Sequence, residues 1–147
     1  MPFGPHPLGL VYFTAVKFAG YSGYAYAVNR TRTVASSPLR KPSAWKVGSV
    51  RTAIGVAVGA AIGLGYWNLL RHVAPTWGDY AAVGFFALLL PVRALEWYVV
   101  LLLLYEKFNF DKPLKSVVIF WGILVSFALD VVGMQAMLVI PGGAWVC

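Results

Sequence analysis

The sequence is poor in the residues from which metal sites and redox centres are built. It holds one cysteine, Cys147, and two histidines, His6 and His72. A single thiol excludes an intrachain disulfide, a CxxC redox pair and a four-cysteine zinc site. Cys147 does not stand fourth from the end, so a prenylation box is not expected. His6, His72 and Cys147 match no ligand spacing, and neither a metal nor any other cofactor is expected. Catalytic signatures are missing as well: there is no glycine-rich phosphate loop, no H-E-x-x-H and no G-x-S-x-G. No internal repeat or low-complexity stretch occurs. The opening MPFGPHP lacks Lys and Arg, and Lys17 interrupts the apolar stretch that follows. Although Ala25-Tyr26-Ala27 has the small-residue form of a cleavage site, a cleaved signal peptide is therefore not expected.

What the chain has in abundance is apolar surface. Hydrophobic residues make up 60% of its 147 positions, and mean hydropathy is +0.73. Ordinary soluble domains sit at roughly 45–50% apolar, and a chain this short cannot hide the excess in a core. The class implied is integral membrane, in a single domain over 1–147. The formal net charge of +7 could point to nucleic acid. However, the cations collect in loops between apolar segments, which is the positive-inside pattern, so no nucleic-acid partner is expected.

Four apolar segments stand out, at about 8–28, 47–70, 80–105 and 113–140. They predict an all-α fold, a bundle of four transmembrane helices. In the first, Pro7 suits the first helical position and Gly20 and Gly23 allow close backbone approach. Tyr21, Tyr24 and Tyr26 suit a membrane–water boundary. The stretch 29–46, NRTRTVASSPLRKPSAWK, has no apolar periodicity and reads as a basic cytoplasmic loop, with Ser43 capping the next helix. Asn29-Arg30-Thr31 matches a glycosylation sequon, which a cytoplasmic loop makes irrelevant. In the second segment Gly55, Gly59 and Gly63 recur at four-residue spacing, a glycine zipper that lets another helix approach. Its partner is either another helix of the same chain or a second copy in a homo-oligomer. Thr76 and Asp79 form a capping-box arrangement before the third segment, and Pro91 should kink that segment just before Arg93. Pro113 suits the start of the fourth, where Gly122, Ser126, Asp130 and Gly133 form a small, polar stripe expected to face inward.

Lys and Arg crowd the first loop and its flanks (Arg30, Arg32, Arg40, Lys41, Lys46, Arg51) and the third (Lys107, Lys112, Lys115). That asymmetry places both loops in the cytoplasm and both termini outside, in a plasma membrane such as the bacterial inner membrane. Anionic lipid headgroups are candidate partners for the loop 29–46. At about 1.5 Å per residue, Lys17 and Asp130 fall at similar depth near the middle of a ~30 Å core, with Arg93 and Glu96 somewhat deeper. These four residues predict a buried, electrically neutral network, with Lys17–Asp130 and Arg93–Glu96 as its pairs. Trp97, beside Glu96, and Ser126 are candidates for lining a pocket.

Ionisable residues inside a membrane are costly and mark function by default. Three readings follow. The first is a non-enzymatic accessory or assembly subunit of a larger membrane complex, its helices clasped by ion pairs. The second is a small oligomeric transporter or channel using the same charges as its pathway. The third is a membrane enzyme acting on a lipid or quinone, with Glu96 or Asp130 as base. The absence of any reaction motif favours the first.

Overall fold

A computed structural model describes residues 7–31, 34, 36–77, 80–108 and 110–135, and their side chains except at 7, 63, 64, 66–77, 80–83, 85, 86 and 134. Four α-helices account for most of it: α1 (Pro7–Val28), α2 (Ala44–Trp77), α3 (Tyr80–Tyr105) and α4 (Lys112–Gln135). A single 3-10 turn, Glu106–Phe108, follows α3. Among the described residues there is no strand.

Local chemistry accounts for the helix starts. Ser43 accepts the first backbone bond of α2 from the Val47 N–H at 3.0 Å, and Asp111 accepts that of α4 from Lys115 at 2.9 Å. Short polar residues in this position are preferred because their side chains can also satisfy the free N–H groups of the first turn. Pro91 is accommodated within α3. Helix α2 is longer than the apolar run 47–70 predicts. It starts within the basic loop at Ala44 and continues through the expected turn to Trp77. Residues 136–140 of the predicted fourth segment, Asp79, His6, Trp145, Cys147 and the side chains of Thr76, His72 and Gly63 lie outside the described residues.

Helix α1 packs on α2 and α4, and α3 packs on α2 and α4, so the four form a ring. The closest approach is between α1 and α2. A methyl group placed on Gly48 would collide with the Ser22 hydroxyl and lie 3.1 Å from the Phe18 carbonyl oxygen. Gly122 plays the same part across the bundle, where an added methyl would fall 2.6–2.8 Å from the Trp97 indole. Gly20 gives room to Leu129, whereas Gly23 faces nothing within 4 Å. Of the ridge at Gly55, Gly59 and Gly63, the described surroundings of Gly55 show no close approach of another helix. The only neighbour a methyl on Gly55 would find is Arg51 Nη1 of its own helix, at 3.0 Å. Close packing here is set by isolated glycines facing bulky groups, and a zipper is not supported.

The distribution of side chains is inverted relative to a soluble protein. Leu95, Leu103, Phe120 and Trp121 are all more than half exposed, while Lys17, Arg51, Arg93, Glu96 and Asp130 are buried. Two stretches, Ala87–Phe108 and Lys112–Gly133, are long and apolar enough to cross a membrane. Only 33% and 28% of them is buried, which is unlike the core helices of a soluble domain, where such apolar runs would be hidden. Among the described residues, α1 and α2 offer no further stretch of that length and apolarity.

At the end where the 29–43 and 106–111 connections sit, Val28, Val34, Val47, Tyr105, Phe108 and Phe110 extend the apolar core that runs on to Trp97 and Val118. Asn29 fastens it. Its amide donates to the Pro42 carbonyl at 2.8 Å and its carbonyl accepts from the Tyr105 hydroxyl at 2.9 Å. The loop is thus held against the end of α3.

Candidate functional site

The structure brings Lys17, Arg93, Glu96 and Asp130 together at the centre of the ring. Asp130 receives Lys17 Nζ on Oδ1 at 2.5 Å and Arg93 Nη2 on Oδ2 at 2.8 Å. Arg93 Nη1 stands 3.6 Å from Glu96 Oε2. That pair is one turn apart on α3, as the i,i+3 spacing predicts, but 3.6 Å is too long for a hydrogen bond. The strong partner of Glu96 is a residue that the sequence assigns to the loop flank. Arg51 Nη2 donates to Glu96 Oε2 at 2.7 Å.

Arg51 changes the composition of the site. It is fully buried, with its guanidinium between two aromatic faces, 4.7 Å from the Tyr21 ring centre and 5.2 Å from that of Trp97. Such stacking strengthens when water is excluded, because the ring quadrupole then attracts an unscreened cation. Counting the described residues, three cations face two carboxylates. The core carries one excess positive charge, and the expected neutrality fails because Arg51, near the start of the segment 47–70, counts in the sequence as a cation flanking the loop. Arg51 lies about two turns inside α2, so at about 1.5 Å per residue it reaches the level of Glu96 from the loop end. Gly55, one turn further on, leaves room for the guanidinium.

Trp97 and Ser126 stand at the centre of this arrangement, 2% and 0% exposed. Ser126 uses its full bonding capacity. It donates to the Gly122 carbonyl at 2.9 Å and accepts from Trp97 Nε1 at 3.1 Å and from Arg51 Nη2 at 3.4 Å. A hydroxyl has one hydrogen and two lone pairs, so nothing further can be bound there without displacing one of these. Trp97 meets Tyr21 and Tyr24 edge-on, at 5.7 Å and 5.1 Å between ring centres. Tyr24 donates its hydroxyl to the Val118 carbonyl at 2.6 Å, joining α1 to α4. Of the three tyrosines read as boundary residues, only Tyr26 is exposed. Tyr21 and Tyr24 turn inward because Trp97 and Arg51 offer them faces to pack on. The stripe Gly122, Ser126, Asp130 and Gly133 is buried along its length.

Every helix contributes: Lys17 from α1, Arg51 from α2, Arg93 and Glu96 from α3, Asp130 from α4. Chemically this is a cross-link among four helices. Its members are no more than 4% exposed, and each is ion-paired with another. Among the described residues no group of three or more His, Cys, Asp or Glu could hold a metal ion. Compared with known proteins, the chain matches no family model, no curated protein and no solved structure.

Proposed function

We propose that the chain is a four-span integral membrane protein, with the 29–43 and 106–111 connections in the cytoplasm and both termini outside. It acts as a non-enzymatic accessory or assembly subunit, its helices clasped by the central ions. The observation that supports this most is the closure of the site: five charged side chains drawn from all four helices are ion-paired with one another and shut off from the surface. A transport path has to admit water or substrate to its charges, and an active site has to admit substrate. Removing either partner of a buried pair strands the other, so such a clasp also selects one arrangement of helices.

A second reading, an anion transporter, draws support from Arg51. Its Nε and Nη1 have no hydrogen-bond partner among the described residues, although the residue is fully buried. The two readings part in reconstituted liposomes. For an accessory subunit, neither wild type nor Glu96→Gln carries proton or chloride flux. In a mild detergent extract of its native membrane, the 16.0 kDa chain migrates in an assembly larger than its own monomer or dimer. Wild-type flux abolished by Glu96→Gln, or migration as a lone chain, would overturn the accessory reading.

A further inference from the structure

The loop end of the bundle carries a groove of about 820 Å³ between the first connection, the start of α2 and the end of α3. Its rim bears Arg40, Lys41, Lys46 and Lys107 against a single carboxylate, Glu106. All five are exposed, and none of the four cations forms an ion pair within the described residues. Leu102 and Leu103 also line it, 39% and 64% exposed, on the stretch of α3 apolar enough to cross a membrane. The positive-inside tendency explains cations in a cytoplasmic loop. It does not explain why cations from three separate segments line the same groove as exposed leucines of α3. Nor is the rim loose, since Asn29 ties Pro42, a lining residue, to Tyr105.

We propose that this groove is a binding site for an anionic phospholipid. The phosphate sits among the Arg40, Lys41, Lys46 and Lys107 side chains, and an acyl chain descends along Leu102 and Leu103. Amphiphilic complementarity selects this occupant. A free phosphate would leave the leucines unused, and a zwitterionic lipid would leave the excess cations unbalanced. The site rests on the membrane reading of the fold, because only then do the leucines meet acyl chains at the depth of the groove.

The test is a titration of the full chain, in neutral detergent micelles, with phosphatidylglycerol, phosphatidylcholine and inorganic phosphate. Binding is followed by quenching from a chain-labelled lipid, or by thermal stabilisation for the phosphate. Wild type should bind phosphatidylglycerol saturably and the other two far more weakly. At about five-fold per cation, the triple variant Lys41→Gln/Lys46→Gln/Lys107→Gln should bind phosphatidylglycerol about a hundred-fold more weakly. A control, Arg30→Gln/Lys112→Gln/Lys115→Gln, removes equal charge from positions that do not line the groove and should change binding less than ten-fold. Equal loss in both triples would overturn the site in favour of diffuse charge attraction. Equally tight binding of phosphate, or of phosphatidylcholine, would overturn the choice of ligand. Retention of the chain in membranes after an alkaline carbonate wash checks the membrane reading separately. Retained protein that fails to bind phosphatidylglycerol refutes the groove alone.

Discussion

Glu96 and Arg51 form the shortest arginine–carboxylate pair in the core, yet their removal should have unequal consequences. At an effective dielectric of about 20, a 2.7 Å pair is attractive by about 6 kcal/mol and a 3.6 Å pair by about 5 kcal/mol before desolvation is counted. Glu96→Gln loses both attractions, leaves the buried Arg51 guanidinium without a carboxylate while Arg93 keeps Asp130, and raises the excess charge of the described core from one to two. Arg51→Met loses one attraction and a cation–π contact, fills the space between Tyr21 and Trp97, and brings the core to neutrality. Net costs are smaller than these gross figures because deleting a charge also removes the penalty of burying it. Breaking such a pair from the carboxylate side should cost about 3–5 kcal/mol, and Arg51→Met no more than about 2 kcal/mol. The double variant restores the original charge excess and should be less harmful than Glu96→Gln alone. Thermal unfolding in detergent, followed by tryptophan fluorescence, reads the difference. At about 3 °C per kcal/mol, the two single variants should separate by several degrees. If Arg51→Met is as destabilising as Glu96→Gln, the excess-charge reasoning is wrong.

Two glycine substitutions should move stability in opposite directions. Gly122→Ala drives a methyl into the Trp97 indole, which Ser126, Tyr21 and Tyr24 hold in place, and should lower stability by about 1–3 kcal/mol. Gly23→Ala meets nothing within 4 Å and should raise it by about 0.5–1 kcal/mol, because alanine loses less backbone entropy in a helix. The same unfolding assay checks both, and a destabilised Gly23→Ala would contradict the packing described for α1. Asn29→Ala removes the tie between the Pro42 carbonyl and the buried Tyr105 hydroxyl. It should cost about 1–3 kcal/mol and speed proteolysis within 36–43 relative to the helices. Unchanged cleavage there would show that the loop is held by something other than Asn29.

The helices were legible because their boundaries carry strong local signals. Pro7, Ser43 and the Asp111-Lys112-Pro113 run mark starts that the structure keeps to within a residue or so. The pairing of Lys17 with Asp130 was legible from depth alone, since the apolar segments 8–28 and 113–140 put both about ten residues from the end expected outside. Arg51 was not. Apolar periodicity begins near Val47 and a run of cations precedes it, so an arginine at 51 reads as the last of the loop charges. Its partner is on α3, and only the phase of α2 against α3 shows that it points inward. One signal was available: Gly55 follows Arg51 by one turn and leaves the space that a long side chain lying along the helix requires. Tyr21 and Tyr24 misled for a related reason. Tyrosine near a helix end suits a membrane boundary, but here an indole and a guanidinium give the rings a better surface inside. The glycine spacing at 55, 59 and 63 was conspicuous, yet Gly55 meets no other helix, whereas Gly48, Gly20 and Gly122, outside that spacing, face another helix closely. A glycine's use depends on what faces it, and a sequence does not state that.

The clasp requires a core closed to water around Ser126, which is 0% exposed. Ser126→Cys in a Cys147→Ser background places the only thiol of the chain at that position, with little change in size. In reconstituted vesicles, a small membrane-impermeant thiol reagent applied to either side should leave this thiol unlabelled, and it should react fully once the protein is unfolded in SDS. Labelling of the folded protein from either side would contradict the clasp and show a water path to the buried charges.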